Sequence, residues 1–219
     1  MSLGLIVILL FSVIIHEYAH GYTADKLGDP TPRASGRLTL NPIAHIDPFG
    51  TILLPMLIFF TTRGAFLFGY AKPVPINPYH FKNPRRDTFL VSISGPLANI
   101  LIALILTLIL HLKIFVSEIL IMGIIINLIL AIFNLIPIPP LDGSRVVACL
   151  LPKHIANLYL KIEPYGFLII VLLIATRVFN WFIFPAVRII FHLLNIEVIL
   201  WKRISLFPLN LKIIATKFI

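Results

Sequence analysis

The sequence predicts an all-α polytopic membrane protein, a bundle of about five to six transmembrane helices with a re-entrant hairpin or short β element after the first helix. Three observations predict it. Mean hydropathy is +1.00 with only 12% charged residues, about half the share a soluble domain carries. Apolar runs of the length needed to span a bilayer recur along the chain. The eighteen Lys and Arg against nine Asp and Glu concentrate in the connecting segments, as basic residues do in cytosolic loops. That last pattern accounts for the net charge of +9, which in a soluble protein would suggest nucleic acid as a partner; none is expected here. The single cysteine, Cys149, excludes an internal disulfide and a thiolate metal cluster.

The first apolar segment covers residues 3–23 and has no basic stretch before it, so it is expected to be a retained span rather than a cleaved signal. A polar, Pro- and Gly-rich stretch follows at 25–47, with Lys26, Arg33 and Arg37. Residues 48–60 and 64–76 are apolar but short and are broken by Pro48, Pro55, Pro73 and Pro75. They predict the re-entrant unit, which is tolerated at membrane depth only when buried in protein or lining a cavity. After a polar loop at 77–87, residues 89–112 and 119–137 are full-length apolar helices, and 142–163 is polar again. The chain is apolar from 165 to 200, as one tilted span with an interfacial helix or as two spans. Trp181 and Trp201 suit membrane interfaces there. The division expected is a core at 1–163 and additional transmembrane or interfacial helices with a basic tail at 164–219.

The first segment carries His16-Glu17-Tyr18-Ala19-His20. Residues four apart share a helix face, so the two imidazoles can bind one zinc ion while Glu17 serves as general base toward water. No charged residue occurs from 3 to 15, so the site lies at membrane depth, where ionisable groups are costly and mark function.

Two histidines leave a catalytic zinc one protein ligand short. Most acids and histidines stand isolated or beside a basic neighbour. Two clusters remain: the run Asn41, His45 and Asp47, and the proline-broken stretch from Asn134 to Asp142. Spacing favours Asp142, which closes a long apolar helix where unwound backbone can line a cavity, and leaves His45 and Asp47 as the alternative. If both helices end on one side, Lys26, Arg33, Arg37, Lys72, Lys82, Arg85, Arg86, Arg145, Lys153 and Lys161 collect there. By the positive-inside rule that face is cytosolic. The expected location is thus the cell membrane, multi-pass, with the site toward the cytosol.

With these residues in place the chain resembles the site-2 protease family of intramembrane zinc metalloproteases. The likeness rests on the His16–His20 motif, on Ser94-Gly95-Pro96-Leu97-Ala98-Asn99, and on Asn134 through Pro140 leading to Leu141-Asp142-Gly143. The three occur in the family's order and cover roughly the first 150 residues. The chain is most similar to the compact prokaryotic branch, in which Asn41 through Pro48 and Gly69 through Pro75 also recur. No inserted PDZ domain or CBS-like tail is visible. The resemblance implies one Zn2+ per chain held by His16, His20 and Asp142, Glu17 as catalytic base, and transmembrane proteins as substrates within the lipid bilayer.

Other residues are assigned from their setting. Asn134 is a candidate catalytic group, able to hydrogen-bond a developing oxyanion or simply to bond between helices. His45, Asp47 and Asn99 are candidates for binding substrate or supporting the ligands from outside. Ser94-Gly95-Pro96 marks a close helix crossing. An edge strand within 36–51 is expected to hold the unwound substrate by strand addition. The competing function is a divalent-metal transporter using the same His and Asp ligands; against it, no paired repeats or matching broken helices are visible.

Overall fold

The computed structural model describes residues 3–53, 56–57, 60, 72–112, 118–176 and 178–196. Among these it is all-helical. The elements are α1 (Leu3–Lys26), α2 (Thr31–Ala34), α3 (Pro42–His45), a π-helical turn (Pro48–Leu53), a 3-10 turn (Pro78–His80), α4 (Pro84–His111), α5 (Glu118–Asn134), α6 (Asp142–Leu150), α7 (Lys153–Leu160), α8 (Glu163–Ala175) and α9 (Asn180–Leu193).

Among the described residues two helices are long and apolar enough to cross a membrane: Ile6–Lys26 within α1, and Pro84–His111. A third span results if α7 and α8, bent by 60° at their junction, count as one. The long helices leave wide apolar faces uncovered. Ile6, Leu9 and Phe11 on α1 and Leu97, Leu101, Leu104 and Leu108 on α4 are all exposed. In water such continuous patches would drive association; in a bilayer they are the lipid contact. α1, α4 and α5 pack on one another. The main core joins α4 and α5 to α8 and α9 through Ala103, Ile124, Leu128, Ile170, Val187 and Phe191.

Prolines set the breaks. α5 stops at Asn134, three residues before Pro137, because a residue preceding proline is driven out of helical conformation. The chain passes Pro137, Pro139 and Pro140 as turns before α6 starts at Asp142. The Tyr159 hydroxyl donates to the Pro137 carbonyl at 2.7 Å and holds this passage against α7. Asp142 therefore opens its own short helix, whereas the sequence predicts it at the close of the long one. Gly143 is required by close approach, since a Cβ there would collide with the Leu135 and Ile136 carbonyls.

The expected edge strand within 36–51 is not present. That stretch holds α3 and the π-helical turn, and Pro42 and Pro48 deprive it of two ladder donors. Residues 54–55, 58–59 and 61–71 of the expected re-entrant hairpin lie outside the described residues, as does the basic tail from 197. Its last part, 72–77, is extended and runs back across α1. The backbone N–H of Lys72 donates to the His45 carbonyl at 2.9 Å, and that of Asn77 to Asp29 Oδ2 at 2.7 Å.

Asp29 is fully buried. Its Oδ1 accepts from the Thr31 N–H at 3.0 Å and from His80 Nδ1 at 2.8 Å. Burial pushes its carboxyl up, but the hydrogen bonds from Thr31, Asn77 and His80 outweigh that and hold it below the ordinary 3.8. A carboxyl depressed on folding contributes stability above its unfolded pKa and loses it as pH falls through the lower folded value. Thermal unfolding in detergent should therefore show a drop in melting temperature below about pH 4. Asp29→Asn should melt lower at pH 7 and decline less steeply in acid.

Candidate metal centre and active site

His16 and His20 lie one helical turn apart in the C-terminal half of α1, and both are buried. Each ring is held by its Nδ1. His16 Nδ1 donates to Asn99 Oδ1 at 2.6 Å, and His20 Nδ1 donates to the Val91 carbonyl at 2.7 Å. An amide or carbonyl oxygen only accepts, so both protons sit on Nδ1 and both Nε2 atoms present lone pairs.

Those lone pairs converge. The Nε2 atoms are 3.1 Å apart, and Asp142 Oδ2 lies 3.1 Å from His16 Nε2 and 3.2 Å from His20 Nε2. Three acceptors facing one another repel unless a cation lies between them. A tetrahedral ion with ligand bonds of ~2.0 Å has edges of ~3.3 Å, so the spacing fits a metal ion. Among the described residues His16, His20 and Asp142 form the one such group of ligand atoms.

α4 supplies the support. At Gly95 a Cβ would lie 2.6 Å from His20 Cε1 and 2.7 Å from His16 Cε1, so only glycine lets α4 cross directly over both rings. Pro96 lacks the N–H that would bond one turn back. Beside that gap the Val91 carbonyl accepts both His20 and, at 2.7 Å, the Ser94 hydroxyl. Asn99, one turn beyond Gly95, is fully buried. Its Nδ2 donates to the Ser12 carbonyl at 3.2 Å and to Asn127 Oδ1 at 2.8 Å. Asn127 Nδ2 in turn donates to Ser12 Oγ at 2.9 Å. This network fixes the amide so that its oxygen meets His16. Asn99→Ala should leave His16 free to change tautomer and lower metal affinity by about 10–100-fold, measurable by competition against a zinc-binding dye.

Glu17 is half-buried and lines a cavity of about 330 Å³ with His16, His20, Asn134, Asp142 and Arg145. Its Oε2 accepts the Val74 backbone N–H at 2.9 Å. That contact is written into Lys72-Pro73-Val74-Pro75. Residues before proline are held extended, and neither proline has an N–H, so Val74 carries the one donor of the Pro-Val-Pro unit. With Oε2 so held, the other oxygen remains for water.

Asn134 lines the same cavity, its Nδ2 donating to the Leu130 carbonyl at 3.0 Å. His45 and Asp47 are placed elsewhere. His45 is buried, with Nε2 donating to the Thr39 carbonyl at 2.8 Å, and Asp47 Oδ1 accepts from the Gly50 N–H at 2.6 Å; neither lines the cavity. Sequence reasoning missed Ser12, Asn127, the Val91 carbonyl and the Val74 amide. Asn127 was visible as a lone polar residue inside an apolar helix, and the Pro-Val-Pro unit as a stretch with one donor; the Val91 carbonyl left no sequence signal.

Two imidazoles, a carboxylate and an adjacent glutamate among membrane-length helices are the equipment of a metal-dependent hydrolase built into the bilayer. Peptidase family M50 matches residues 4–118 and 111–176, and the chain belongs to this family, that of the site-2 proteases. The protein named "Putative zinc metalloprotease YwhC" of Bacillus subtilis is 39% identical over 193 residues, covering 83% of this chain and 84% of that one. "Putative zinc metalloprotease Rip2" of Mycolicibacterium smegmatis is 31% identical, covering 79% of this chain and 67% of that one. The Mycobacterium tuberculosis H37Rv protein of the same name is 28% identical, covering 86% and 73%. No solved structure matches the chain.

Proposed function

We propose that this chain is an intramembrane zinc metalloprotease that hydrolyses peptide bonds within or near transmembrane segments of other proteins, with His16, His20 and Asp142 as zinc ligands and Glu17 as base. The observation that carries the reading is the convergence of three lone-pair donors at 3.1–3.2 Å beside a carboxylate, inside a polar cavity. Family membership and the names of the relatives supply zinc and proteolysis. No observation favours metal transport.

When bound, zinc supplies Lewis acidity, polarising the scissile carbonyl and making water easier to deprotonate. The chain's own groups do the rest. Glu17, steadied by the Val74 amide, takes the proton from the attacking water and returns it to the leaving nitrogen. Asn134 has a second amide N–H for the carbonyl oxygen as charge develops there. Asn99 and the Val91 carbonyl keep both imidazoles in the tautomer that leaves Nε2 free.

The whole is a multi-pass protein of the cell membrane. α1, α4, α5, the bent α7–α8 pair and α9 make about five crossings. Residues 1–163 make up the catalytic core, with 164–219 as added helices and tail. The gathering of basic residues in the loops supports a metal centre toward the cytosol, with released fragments leaving on that side.

The test is cleavage of a single-span peptide in liposomes by purified protein, with the cut located by mass spectrometry. A cut inside or at the edge of the span, abolished by 1,10-phenanthroline and restored by added zinc, is the expected result. Cleavage that survives complete zinc removal would contradict it.

A further inference from the structure

The catalytic cavity does not end at Arg145. It shares Thr88, Pro78 and Arg145 with a second groove of about 620 Å³ between the start of α4 and the α6–α7 turn. Besides Arg145, the charged groups facing this groove are Arg85, Lys153 and Glu163. Arg85 is structural, its guanidinium donating to the Cys149 and Leu151 carbonyls at the end of α6, but its charge remains. Lys153 is exposed and stands in the first turn of α7, where the helix dipole is already positive. No acid lies within ion-pair distance of it among the described residues. Arg145 faces Glu163 at 3.6 Å, with both side chains about half exposed at 48% and 46%. A pair that long and that wet contributes little. The groove thus holds three cations against one loosely paired acid, and it opens directly from the metal centre.

Arg145 sits three residues beyond Asp142 on the same helix, hence one turn from the ligand face. An extended chain leaving the metal centre along the groove rises about 3.3 Å per residue. A side chain about two to four residues from the cut therefore comes within reach of the guanidinium. We propose that the groove receives the polar flank of the substrate and selects flanks carrying Asp or Glu there. Arg145 is the specificity-determining residue, Lys153 supports it, and Glu163 holds the guanidinium in the groove until a substrate carboxylate replaces it. A bidentate carboxylate is a better partner for arginine than the single long contact it has now. The proposal rests on the proteolytic reading for its substrate, and its test is separable from it.

The experiment uses the full-length, zinc-loaded Glu17→Gln protein in zwitterionic detergent. Its probes are two fluorescent single-span peptides that differ only in an Asp-Asp or Lys-Lys pair placed two to four residues past the end of the span. Fluorescence anisotropy should show the acidic peptide binding at least about fivefold more tightly, with the preference weakened by salt. Lys153→Glu, a surface change that leaves α6 untouched, should narrow the ratio. Arg145→Glu with Lys153→Glu should invert it, which misfolding does not do. Glu163→Gln should widen it. Equal binding of both peptides by the parent protein, or a ratio unmoved by these variants, would overturn the proposal. So would a basic-residue effect that appears only in vesicles containing phosphatidylglycerol, which would assign the cations to lipid headgroups. If the binding preference holds but the enzyme with Glu17 intact cuts neither peptide, the proteolytic reading fails and the groove stands.

Discussion

Glu17→Gln leaves the protein loaded with zinc and lowers turnover by about 10²–10⁴-fold, the usual worth of a positioned general base. Glutamine keeps the length and planarity of the side chain, and its carbonyl oxygen can still accept the Val74 N–H now 2.9 Å from Oε2. What it loses is the ability to take a proton. The proposed metal ligands, His16 and His20, are held by Asn99 and the Val91 carbonyl, not by Glu17, so their geometry does not depend on the carboxylate. The readout is paired: metal analysis beside the rate of peptide cleavage. Activity lost together with the metal would make Glu17 a structural support instead of the base.

Asp142→Ala has the opposite signature, loss of zinc first and of activity as a consequence. The carboxylate is the one proposed ligand not on α1, and it arrives across a sequence separation of more than a hundred residues. Without it the two Nε2 atoms remain 3.1 Å apart, but two neutral imidazoles make a poor site for a divalent ion. Zinc content should fall from about one per chain to less than about a tenth of that after dialysis. The variant should also lose the metal-mediated tie between α1 and the start of α6. Because α6 rests on the Leu135 and Ile136 carbonyls through Gly143 and Ser144 Oγ donates to the Leu141 carbonyl at 2.7 Å, the helix itself should persist.

Much of this was legible in the residues. The His16–His20 spacing indicated the two-imidazole face, and the proline-broken stretch before Asp142 pointed to the carboxylate that meets it. Helix breaks fell where Pro137 and Pro84 require them. The less legible parts depend on where polar groups go when local and distant partners compete. His45, Asn41 and Asp47 looked like a metal cluster because their residue types suit one. In the fold they serve nearby backbone: Asn41 Oδ1 accepts the Ile43 N–H at 3.1 Å to cap α3, His45 serves Thr39, and Asp47 serves Gly50. Short polar side chains next to turns commonly do this. The strand expected within 36–51 failed for a related reason, since its prolines favour helix starts over ladder donors. The extended segment that does lie against the site, 72–77, draws its shape from Pro73 and Pro75, and its target, Glu17, could be found only in three dimensions.

The most direct test of the central claim is the zinc content of purified wild type, Asp142→Ala and His45→Ala, each dialysed and measured by plasma mass spectrometry. The arrangement described predicts about one zinc per chain in the wild type, almost none in Asp142→Ala, and about one in His45→Ala. Zinc retained by Asp142→Ala and lost from His45→Ala would contradict it, because the ligand set, and with it the meeting of α1 and α6, would then be wrong.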